Sequence, residues 1–162
     1  MKTLFILRHA KSSWDNPDWS DFERPLNERG LKSAPLMGSV MKENKFLPEL
    51  ILSSPAKRAR QTADLVKAAA GFKSEVQFDE RIYEASPARL LEVVADQIDN
   101  ADSILLVGHN PGLEGLIRVL TGKIEPMPTA ALAVIDLSIS NWSEINSVSG
   151  NLRLLIRPKE IQ

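Results

Sequence analysis

Short apolar segments alternate along this chain with longer segments whose apolar residues recur at helical spacing, and this order limits the folds open to it. It predicts a three-layer α/β/α fold, with helices on both faces of a mainly parallel sheet. The last two apolar segments lie too close in sequence for a helical crossover, so at least one antiparallel pairing is predicted there. The predicted strands are 2–7, 50–52, 76–78, 104–107, 130–137 and 152–156, and the predicted helices are 28–44, 55–70, 86–98 and 110–120, with an irregular loop over 9–27.

Helical spacing also predicts which side chains are buried. In the first helix Leu31, Met37, Val40 and Met41 recur on one side and are expected to face the core. In the third helix the same spacing extends the apolar face as far as Ile98.

The composition excludes several classes of function. At 162 residues the chain is expected to form one domain, residues 1–162. Its net charge of −1 gives no electrostatic case for a nucleic-acid or membrane partner. The absence of cysteine excludes disulfides, thiolate metal sites and a cysteine nucleophile. The N-terminus lacks a signal-peptide pattern and no segment approaches the ~20 apolar residues of a membrane span, so a cytoplasmic location is expected.

The chain has two histidines, and each directly follows a predicted strand. Arg8-His9 follows the first strand, and Gly108-His109 follows the fourth. Because the carboxyl ends of parallel strands open onto one crevice where ligands bind, the two imidazoles are expected to face each other. A lone histidine after a strand is more often a structural residue. Arg8 beside the first histidine nevertheless suggests that an anion binds between the two rings.

Two more strand ends carry groups suited to an anion site. Lys57, Arg58 and Arg60 open the helix after the second strand, and Glu84 follows the third strand. Taken alone, the cations are typical of a solvated helix face and Glu84 of a surface or capping carboxylate. Cations at a helix N-terminus oppose the helix macrodipole, however, and a bound anion would offset that cost. Four such junctions at one sheet edge match what a phosphoryl group needs, namely guanidinium donors, imidazole donors and a nucleophile.

Short motifs surround these junctions, and they have a familiar order and spacing. They are Leu7-Arg8-His9-Ala10-Lys11-Ser12, Arg24-Pro25-Leu26-Asn27-Glu28-Arg29-Gly30, Ser53-Ser54-Pro55, Arg58-Ala59, Gln61-Thr62-Ala63, Gly108-His109-Asn110 and Pro128-Thr129-Ala130. The set resembles the histidine phosphatase (phosphoglycerate mutase-like) superfamily, and within it the SixA-type phosphohistidine phosphatases. The resemblance runs from Met1 to around Pro158 and implies the phosphoglycerate mutase-like version of the predicted fold.

The resemblance also implies roles for individual residues. His9 would be the nucleophile that becomes transiently phosphorylated, and Glu84 falls near where many members keep an acidic proton donor. Two positions depart from the family pattern, since Ala10 stands where glycine is frequent and Asp15 where mutases tend to place an asparagine near phosphate. The residues predicted to bind the phosphoryl group or the substrate are Arg8, Arg58, His109, Lys11, Ser12 and Asn110.

The chemistry of these side chains agrees with a phosphoryl-transfer enzyme. A neutral imidazole, whose ordinary pKa is ~6.5, is a competent nucleophile near neutral pH. His109 beside a phosphate dianion is expected to favour its protonated, donating form. No clustered Asp, Glu or His ligands point to a metal, so an enzyme without metal or cofactor is expected.

The substrate is less constrained than the chemistry. Only 24 residues separate Glu84 from His109, and a helix and a strand must fit among them, which leaves little sequence for a lid. An open pocket favours a phosphoryl group carried by another protein, such as phosphohistidine on a phosphotransfer domain. The alternatives are a small-molecule phosphomonoesterase acting on a small phosphoester, a mutase of the same superfamily, and a non-catalytic module that binds phosphate or a phosphoprotein.

Overall fold

The computed structural model describes residues 1–161, which form a six-stranded sheet with helices on both faces. The strands are β1 (Lys2–Arg8), β2 (Leu50–Ser53), β3 (Val76–Phe78), β4 (Ser103–Gly108), β5 (Leu132–Leu137) and β6 (Gly150–Ile156), and the helices are α1 (Glu28–Glu43), α2 (Lys57–Ala70), α3 (Pro87–Ala95) and α4 (Gly112–Thr121). The strand order is β3-β2-β4-β1-β5-β6. Strands β1 to β4 pair in parallel, whereas β5 runs antiparallel to both β1 and β6. The predicted α/β fold with one reversed strand is confirmed.

Two apolar clusters, one on each face, hold the helices against the sheet. Successive side chains of a strand point to opposite faces, and β1 follows this rule. Leu4 and Ile6 pack in a cluster with residues of α3 and α4, whereas Phe5 and Leu7 pack in a second cluster with residues of α1 and α2. The continuous apolar sequence of β1 is thus explained by burial on both faces.

The buried face of α1 differs from the predicted one. Leu31 is 48% exposed, although Met37 and Met41 are buried as expected. A methyl group added at Gly38 would come within 2.6 Å of the carbonyl oxygen of Val66, so α1 and α2 approach closely. At the start of α1 the buried residues are the small ones, Gly30, Ser33 and Ala34, so the spacing of large apolar residues alone assigned Leu31 wrongly. The buried residues of α1 are Gly30, Ser33, Ala34, Met37, Gly38 and Met41.

The end of α3 and the loop before α1 also differ from prediction. Helix α3 ends at Ala95, and Ile98 beyond it is 60% exposed. The reason is local, because the side-chain amide of Gln97 donates to the carbonyl of Val93 at 2.8 Å and takes the acceptor that the next helical N–H would use. The predicted irregular loop also contains a 3₁₀ turn, Asp21–Glu23.

The register of β1 on β4 decides where the functional groups lie. From Thr3 onward, each residue of β1 pairs with a residue of β4, up to Arg8 and Gly108, the last residues of the two strands. The backbone N–H of His9 then donates to the carbonyl of Gly108 at 3.0 Å. On the other side of β4, β2 ends beside it, and the backbone N–H of Ser54 donates to the carbonyl of Val107 at 3.0 Å. Three strand ends are therefore held at one edge of the sheet.

The helices of the described residues were also compared with the length and hydropathy that a bilayer crossing needs. Within residues 1–161 no helix is both long enough and apolar enough to span a membrane.

Thr62 connects the loop after β1 to helix α2. Its fully buried hydroxyl accepts a hydrogen bond from the backbone N–H of Ala10 at 2.9 Å and donates one to the carbonyl of Arg58 at 2.7 Å. The loop that carries His9 is thereby fixed to the helix that carries Arg58.

Thr62→Val keeps the shape of the side chain but leaves the Ala10 N–H buried without an acceptor. We expect the free energy of unfolding to fall by about 1–3 kcal/mol, measured by urea denaturation. Thr121→Val is the matched control. That half-buried hydroxyl donates to Ile117 in its own helix and accepts from the backbone N–H of Lys123, a hydrogen bond in an exposed position that water can replace, so stability should change by no more than about 0.5 kcal/mol. Equal losses in the two variants would contradict the connecting role of Thr62.

Candidate active site

Two imidazole rings meet at the carboxyl ends of β1 and β4. The ring centroids of His9 and His109 lie 5.1 Å apart, with the ring planes tilted by 54°. His9 is 6% exposed and His109 is half-buried. The register of the two strands accounts for this arrangement, because each histidine follows one member of the last β1–β4 pair.

The His9 ring is held in one tautomer. Its Nδ1 lies 2.7 Å from the carbonyl oxygen of Ala10. A carbonyl oxygen accepts but never donates a hydrogen bond, so Nδ1 carries the proton and the lone pair is on Nε2. His9 therefore has its nucleophilic nitrogen free of this contact.

The surroundings of His9 keep it neutral. Burial lowers the pKa of His9 to about 3, with the carbonyl of Ala10 acting in the opposite direction. Electrostatic interactions with His109, Arg58 and Arg8 contribute to the same lowering of the pKa. The lone pair on Nε2 is consequently present at any pH near neutrality.

His109 is the second ring of the site, and one of its nitrogens has no partner. Its Nε2 lies 2.8 Å from the hydroxyl of Ser54, which follows β2, whereas its buried Nδ1 makes no hydrogen bond. Burial and the charge of Arg58 lower the pKa of His109 to about 4, and Asp21 acts in the opposite direction. The ring is therefore neutral in the free protein, and an adjacent dianion would shift it toward the protonated form expected from the sequence.

Two arginines bring positive charge to these rings. Arg8 ends β1 and donates from Nη1 to the carbonyl of Met127 at 3.0 Å. Burial lowers the pKa of Arg8, Glu114 counteracts this and Arg58 adds to it, yet a guanidinium stays protonated in proteins. Arg58 lies in the first turn of α2 and is buried. Arg60 is exposed and lies over the ring of Phe78, as its position on the helix suggests.

Three buried side-chain nitrogens at the site have no hydrogen-bond partner within the protein; the two on arginines are N–H donors, and the one on His109 donates when it carries the ring proton. They are Nε of Arg8, Nε of Arg58 and Nδ1 of His109, and no other buried side-chain nitrogen or oxygen in residues 1–161 is left in this state. Buried polar groups are normally hydrogen-bonded, and each one left unmade costs about 1–3 kcal/mol. Oxygen atoms of a tetrahedral oxyanion would satisfy all three donors. The geometry thus fits a phosphoryl group bound beside His9.

Asp21 lies outside the set of site residues predicted from the sequence, yet it contacts three side chains there. Arg58 donates from Nη1 to its backbone carbonyl at 2.6 Å and from Nη2 to its carboxylate at 3.0 Å. The hydroxyl of Tyr83 donates to the same carboxylate oxygen at 2.6 Å, and Arg24 lies 3.3 Å from the other. Although burial raises it, hydrogen bonds from Tyr83 and Arg58 bring the pKa of Asp21 to about 2. The carboxylate is therefore ionised.

Glu84 lines a cavity of about 510 Å³ beside His109. It is exposed, and its φ of 54° falls in the left-handed region that a residue other than glycine seldom adopts. Backbone strain of this kind is concentrated at functional sites. The position is compatible with proton donation, and that role stays a prediction. The other residues that line the cavity are Asp21, Arg58, Tyr83, Ala85, Ser86, His109, Asn110 and Pro111.

The other predicted binding residues lie farther from this chemistry. Lys11 is exposed and, with Ser12, lines a separate groove of about 920 Å³. The hydroxyl of Ser12 accepts a hydrogen bond from Arg24 at 2.9 Å. Asn110 lines the cavity at His109, but its amide donates to Glu114 at 2.7 Å and to the carbonyl of Met127 at 2.9 Å. Their part in substrate binding stays a prediction.

The donor set of the site is suited to an anion. In the part of the chain that the structure describes, no three His, Cys, Asp or Glu side chains come together in a way that could hold a metal ion. The groups that converge are two guanidinium ions and two imidazoles, which bind phosphate through charge-assisted hydrogen bonds.

Comparison with known families gives this geometry a context. The family model of the histidine phosphatase superfamily (branch 1) matches residues 4–93. The chain belongs to this superfamily. The match includes Arg8, His9 and Arg58, and the fold is phosphoglycerate mutase-like, as the sequence motifs imply.

Individual relatives show which members of the superfamily this chain is similar to. An uncharacterised protein of Mycobacterium tuberculosis is 33% identical to this chain, over 86% of this chain and 91% of its own length. Phosphohistidine phosphatase SixA of Escherichia coli is 29% identical, over 88% of this chain and 90% of its own. A structure from Agrobacterium tumefaciens, provisionally assigned to SixA, superposes with a TM-score of 0.84 at 30% identity and covers 97% of this chain and 98% of that one. The chain is thus similar to SixA-type proteins in sequence and fold.

The two histidines can be observed individually, because the chain has no others. With no oxyanion bound, we expect both rings to stay neutral from about pH 5 to pH 8, with the proton of His9 on Nδ1. Burial lowers their pKa values to about 3 and about 4, whereas the unfolded chain takes up protons near its ordinary pKa of ~6.5. Stability should therefore decline as pH falls from 6.5 toward 4, because only the unfolded state binds the added protons.

Long-range ¹H–¹⁵N NMR of the ring nitrogens measures both the charge and the tautomer of each histidine. Saturating vanadate should raise the pKa of His109, whose Nδ1 faces no protein partner. A ring that titrates at its ordinary pKa in the free protein, or a His9 proton on Nε2, would contradict the geometry described.

Proposed function

We propose that this protein removes phosphoryl groups from phosphohistidine on proteins, through a covalent phosphohistidine intermediate on His9 and without metal or cofactor. The observation that carries the proposal is the set of three unpartnered buried nitrogens, on Arg8, Arg58 and His109, beside a neutral His9. Such donors stabilise the charge on phosphoryl oxygens, and Nε2 of His9 supplies the nucleophile. In this proposal residues 1–162 act as one catalytic domain.

The first step transfers the phosphoryl group to His9. The lone pair on Nε2 forms an N–P bond in line with the bond that breaks, and the electron pair of the broken bond leaves on the nitrogen of the substrate imidazole. The substrate ring enters with a proton on its other nitrogen and departs neutral. His9 keeps its proton on Nδ1 and takes over the positive charge, so this step requires no added proton.

The second step hydrolyses the intermediate. A water oxygen attacks phosphorus, and the electron pair of the N–P bond returns to Nε2 of His9. Dihydrogen phosphate leaves and then loses a proton to solvent, while His9 is restored in its neutral form. Donors on Arg8, Arg58 and His109 act in both steps, and each charge-assisted hydrogen bond contributes about 1.5–3 kcal/mol.

Proton balance favours phosphohistidine over an ester as the substrate. The alkoxide of a phosphoester is a poor leaving group that needs a proton, whereas the protonated imidazole described above needs none. Glu84, the predicted proton donor, is exposed to solvent. A site with its acidic group at the exterior is better suited to the substrate that does not need one.

The openness of the site supports a phosphoryl group carried by another protein. Helix α3 and strand β4 lie within the 24 residues between Glu84 and His109, which leaves little chain to cover the pocket. A phosphotransfer domain with an exposed phosphohistidine is the partner we propose. The similarity to SixA of Escherichia coli, which is named a phosphohistidine phosphatase, supports the same choice.

Hydrolysis of small phosphoesters is the second candidate function, and Glu84 is the observation that favours it. The residue lines the cavity at His109 with its backbone in the left-handed region. A carboxylic acid held there would protonate the oxygen of a small leaving group.

His9→Ala should abolish turnover, because no other group at the site offers a neutral nucleophile fixed in one tautomer. Brief mixing of the wild-type protein with a ³²P-labelled phosphohistidine protein should place acid-labile phosphate on the peptide that contains His9. Peptide mapping distinguishes it from the His109 peptide, since these are the only histidines of the chain. Label on His109 or Ser54, or substantial activity in the variant, would overturn the mechanism.

Glu84→Gln tests the proton-donor role and the substrate preference together. If Glu84 donates a proton, we expect hydrolysis of alkyl phosphates to slow by about 10²–10⁴-fold and that of p-nitrophenyl phosphate to slow much less, because p-nitrophenolate leaves without a proton. Turnover of a phosphohistidine protein should fall much less, because its leaving imidazole is already protonated. Glu80→Gln, an exposed carboxylate nearby, serves as the control and should leave both rates unchanged. Equally large losses on both substrates would contradict the role of Glu84 as proton donor to esters. Equally small effects would show that Glu84 is a surface carboxylate without a catalytic role.

A further inference from the structure

Asp21 belongs to the exposed 3₁₀ turn between β1 and α1, yet it contacts groups on α2 and on the segment after β3. We propose that Asp21 is a positioning residue of the phosphate site, which holds Arg58 by its terminal nitrogens and leaves Nε–H for the phosphoryl group. The inference rests on the proposed function, because it concerns the same pocket. It assigns to the loop before α1 a task in catalysis that the loop sequence does not reveal.

The hydrogen bonds to Arg58 define the orientation of its guanidinium. Asp21 accepts from Nη1 with its backbone carbonyl at 2.6 Å and from Nη2 with its carboxylate at 3.0 Å. Two contacts on two terminal nitrogens fix a planar group against rotation. The remaining buried N–H, on Nε, has no protein partner. Asp21 thus binds the two terminal nitrogens of the guanidinium and leaves the N–H of Nε available to the phosphoryl group.

Arg58 requires a counterion at this place. It lies in the first turn of α2, where the helix macrodipole is unfavourable to a cation, and its side chain is only 7% exposed. A buried charge is tolerated when it is paired and hydrogen-bonded. Asp21 is the carboxylate that meets Arg58, and it stays ionised under all ordinary conditions because its pKa is about 2.

The same carboxylate also reaches the second imidazole, through Tyr83. The hydroxyl of Tyr83 donates to Asp21 at 2.6 Å, and the Tyr83 ring packs edge-on against His109 with centroids 5.6 Å apart. The ring of Phe22, the next residue of the turn, also packs edge-on against the ring of Tyr83, with centroids 5.1 Å apart. One short segment therefore supports both a guanidinium and an imidazole of the pocket.

A different role for Asp21 is conceivable on charge alone, and it makes the opposite prediction. An anion bound to Arg58 could act as a competitor that a phosphoryl group must displace. In that case removal of the charge would tighten oxyanion binding, whereas removal of a positioning residue weakens it. The contacts favour positioning, because Tyr83 and Arg24 also hold the carboxylate in place and Nε of Arg58 is already free.

Asp21→Asn provides the test, with Asp18→Asn as the matched control in the same loop. Asp18 is exposed and makes no side-chain hydrogen bond or ion pair among the contacts found in the described residues. The measurements are the inhibition constant of vanadate and kcat/KM for p-nitrophenyl phosphate. For Asp21→Asn we expect vanadate to bind about 10-fold more weakly and kcat/KM to fall by about 10²-fold, the scale of losing one preorganised donor. Asp18→Asn should match the wild-type protein in both measurements. The melting temperature of Asp21→Asn should stay well above the assay temperature, so that unfolding does not account for its losses.

A double-mutant cycle shows whether Asp21 acts through Arg58. In an Arg58→Ala background, Asp21→Asn should cause only the small further loss that acts through Tyr83 and His109, because there is no guanidinium left to orient. Additive losses would mean that Asp21 acts independently of Arg58 and would overturn the inference. Tyr83→Phe removes a single hydrogen bond to Asp21 and gives a smaller loss of the same kind, so a poorly folding Asp21 variant would not leave the question open.

The outcomes separate this inference from the proposed function. If the wild-type protein neither binds vanadate nor turns over a phosphohistidine protein, the proposed function fails. If it does both and Arg58→Ala weakens both, but Asp21→Asn has no effect, the inference alone fails. Tighter vanadate binding by Asp21→Asn would identify Asp21 as a competitor and would also refute the positioning role.

Discussion

The parallel pairing of β1 with β4 determines the position of both histidines of the candidate site. Its last pair, Arg8 with Gly108, places the two histidines side by side at one edge of the sheet. A shift of one residue would exchange the faces to which β1 presents its side chains, and would move Leu4 and Ile6 away from α3 and α4. The two apolar clusters therefore fix the register, and the register fixes the distance between the imidazoles. The burial of these apolar side chains therefore stabilises the fold and positions the two histidines at the same time.

The site concentrates positive charge in a molecule whose net charge is −1. Arg8 and Arg58 are partly or largely removed from water, and each uses some of its N–H groups on protein acceptors, the carbonyl of Met127 for one and Asp21 for the other. One N–H on each is left without a partner. Unsatisfied buried donors are costly in the free protein, and natural proteins accept such costs mainly at functional sites. The neutral state of both histidines limits the repulsion until an anion arrives.

The strand ends were the part of the site that the sequence could locate. Rules for parallel sheets place groups after β1, β2 and β4 in one crevice, and the structure brings His9, His109 and Arg58 together there. Asp21 could not be found in this way, because it lies in a loop without periodicity among other acidic residues, and its contact with Arg58 is purely tertiary. Local contacts account for the errors in the helices. The side chain of Gln97 takes the acceptor that would extend α3, and small residues rather than Leu31 are buried at the start of α1.

The crystal structure of the vanadate complex tests the central claim most directly, because vanadate adopts the geometry of phosphoryl transfer. The claim is that the three unpartnered donors surround the point that Nε2 of His9 attacks. We predict vanadium within bonding distance of Nε2 of His9, with its oxygens accepting hydrogen bonds from Nε of Arg8, Nε of Arg58 and Nδ1 of His109. Vanadate bound in the groove at Lys11 and Ser12, or bound at the two histidines while those three N–H groups point elsewhere, would contradict the account.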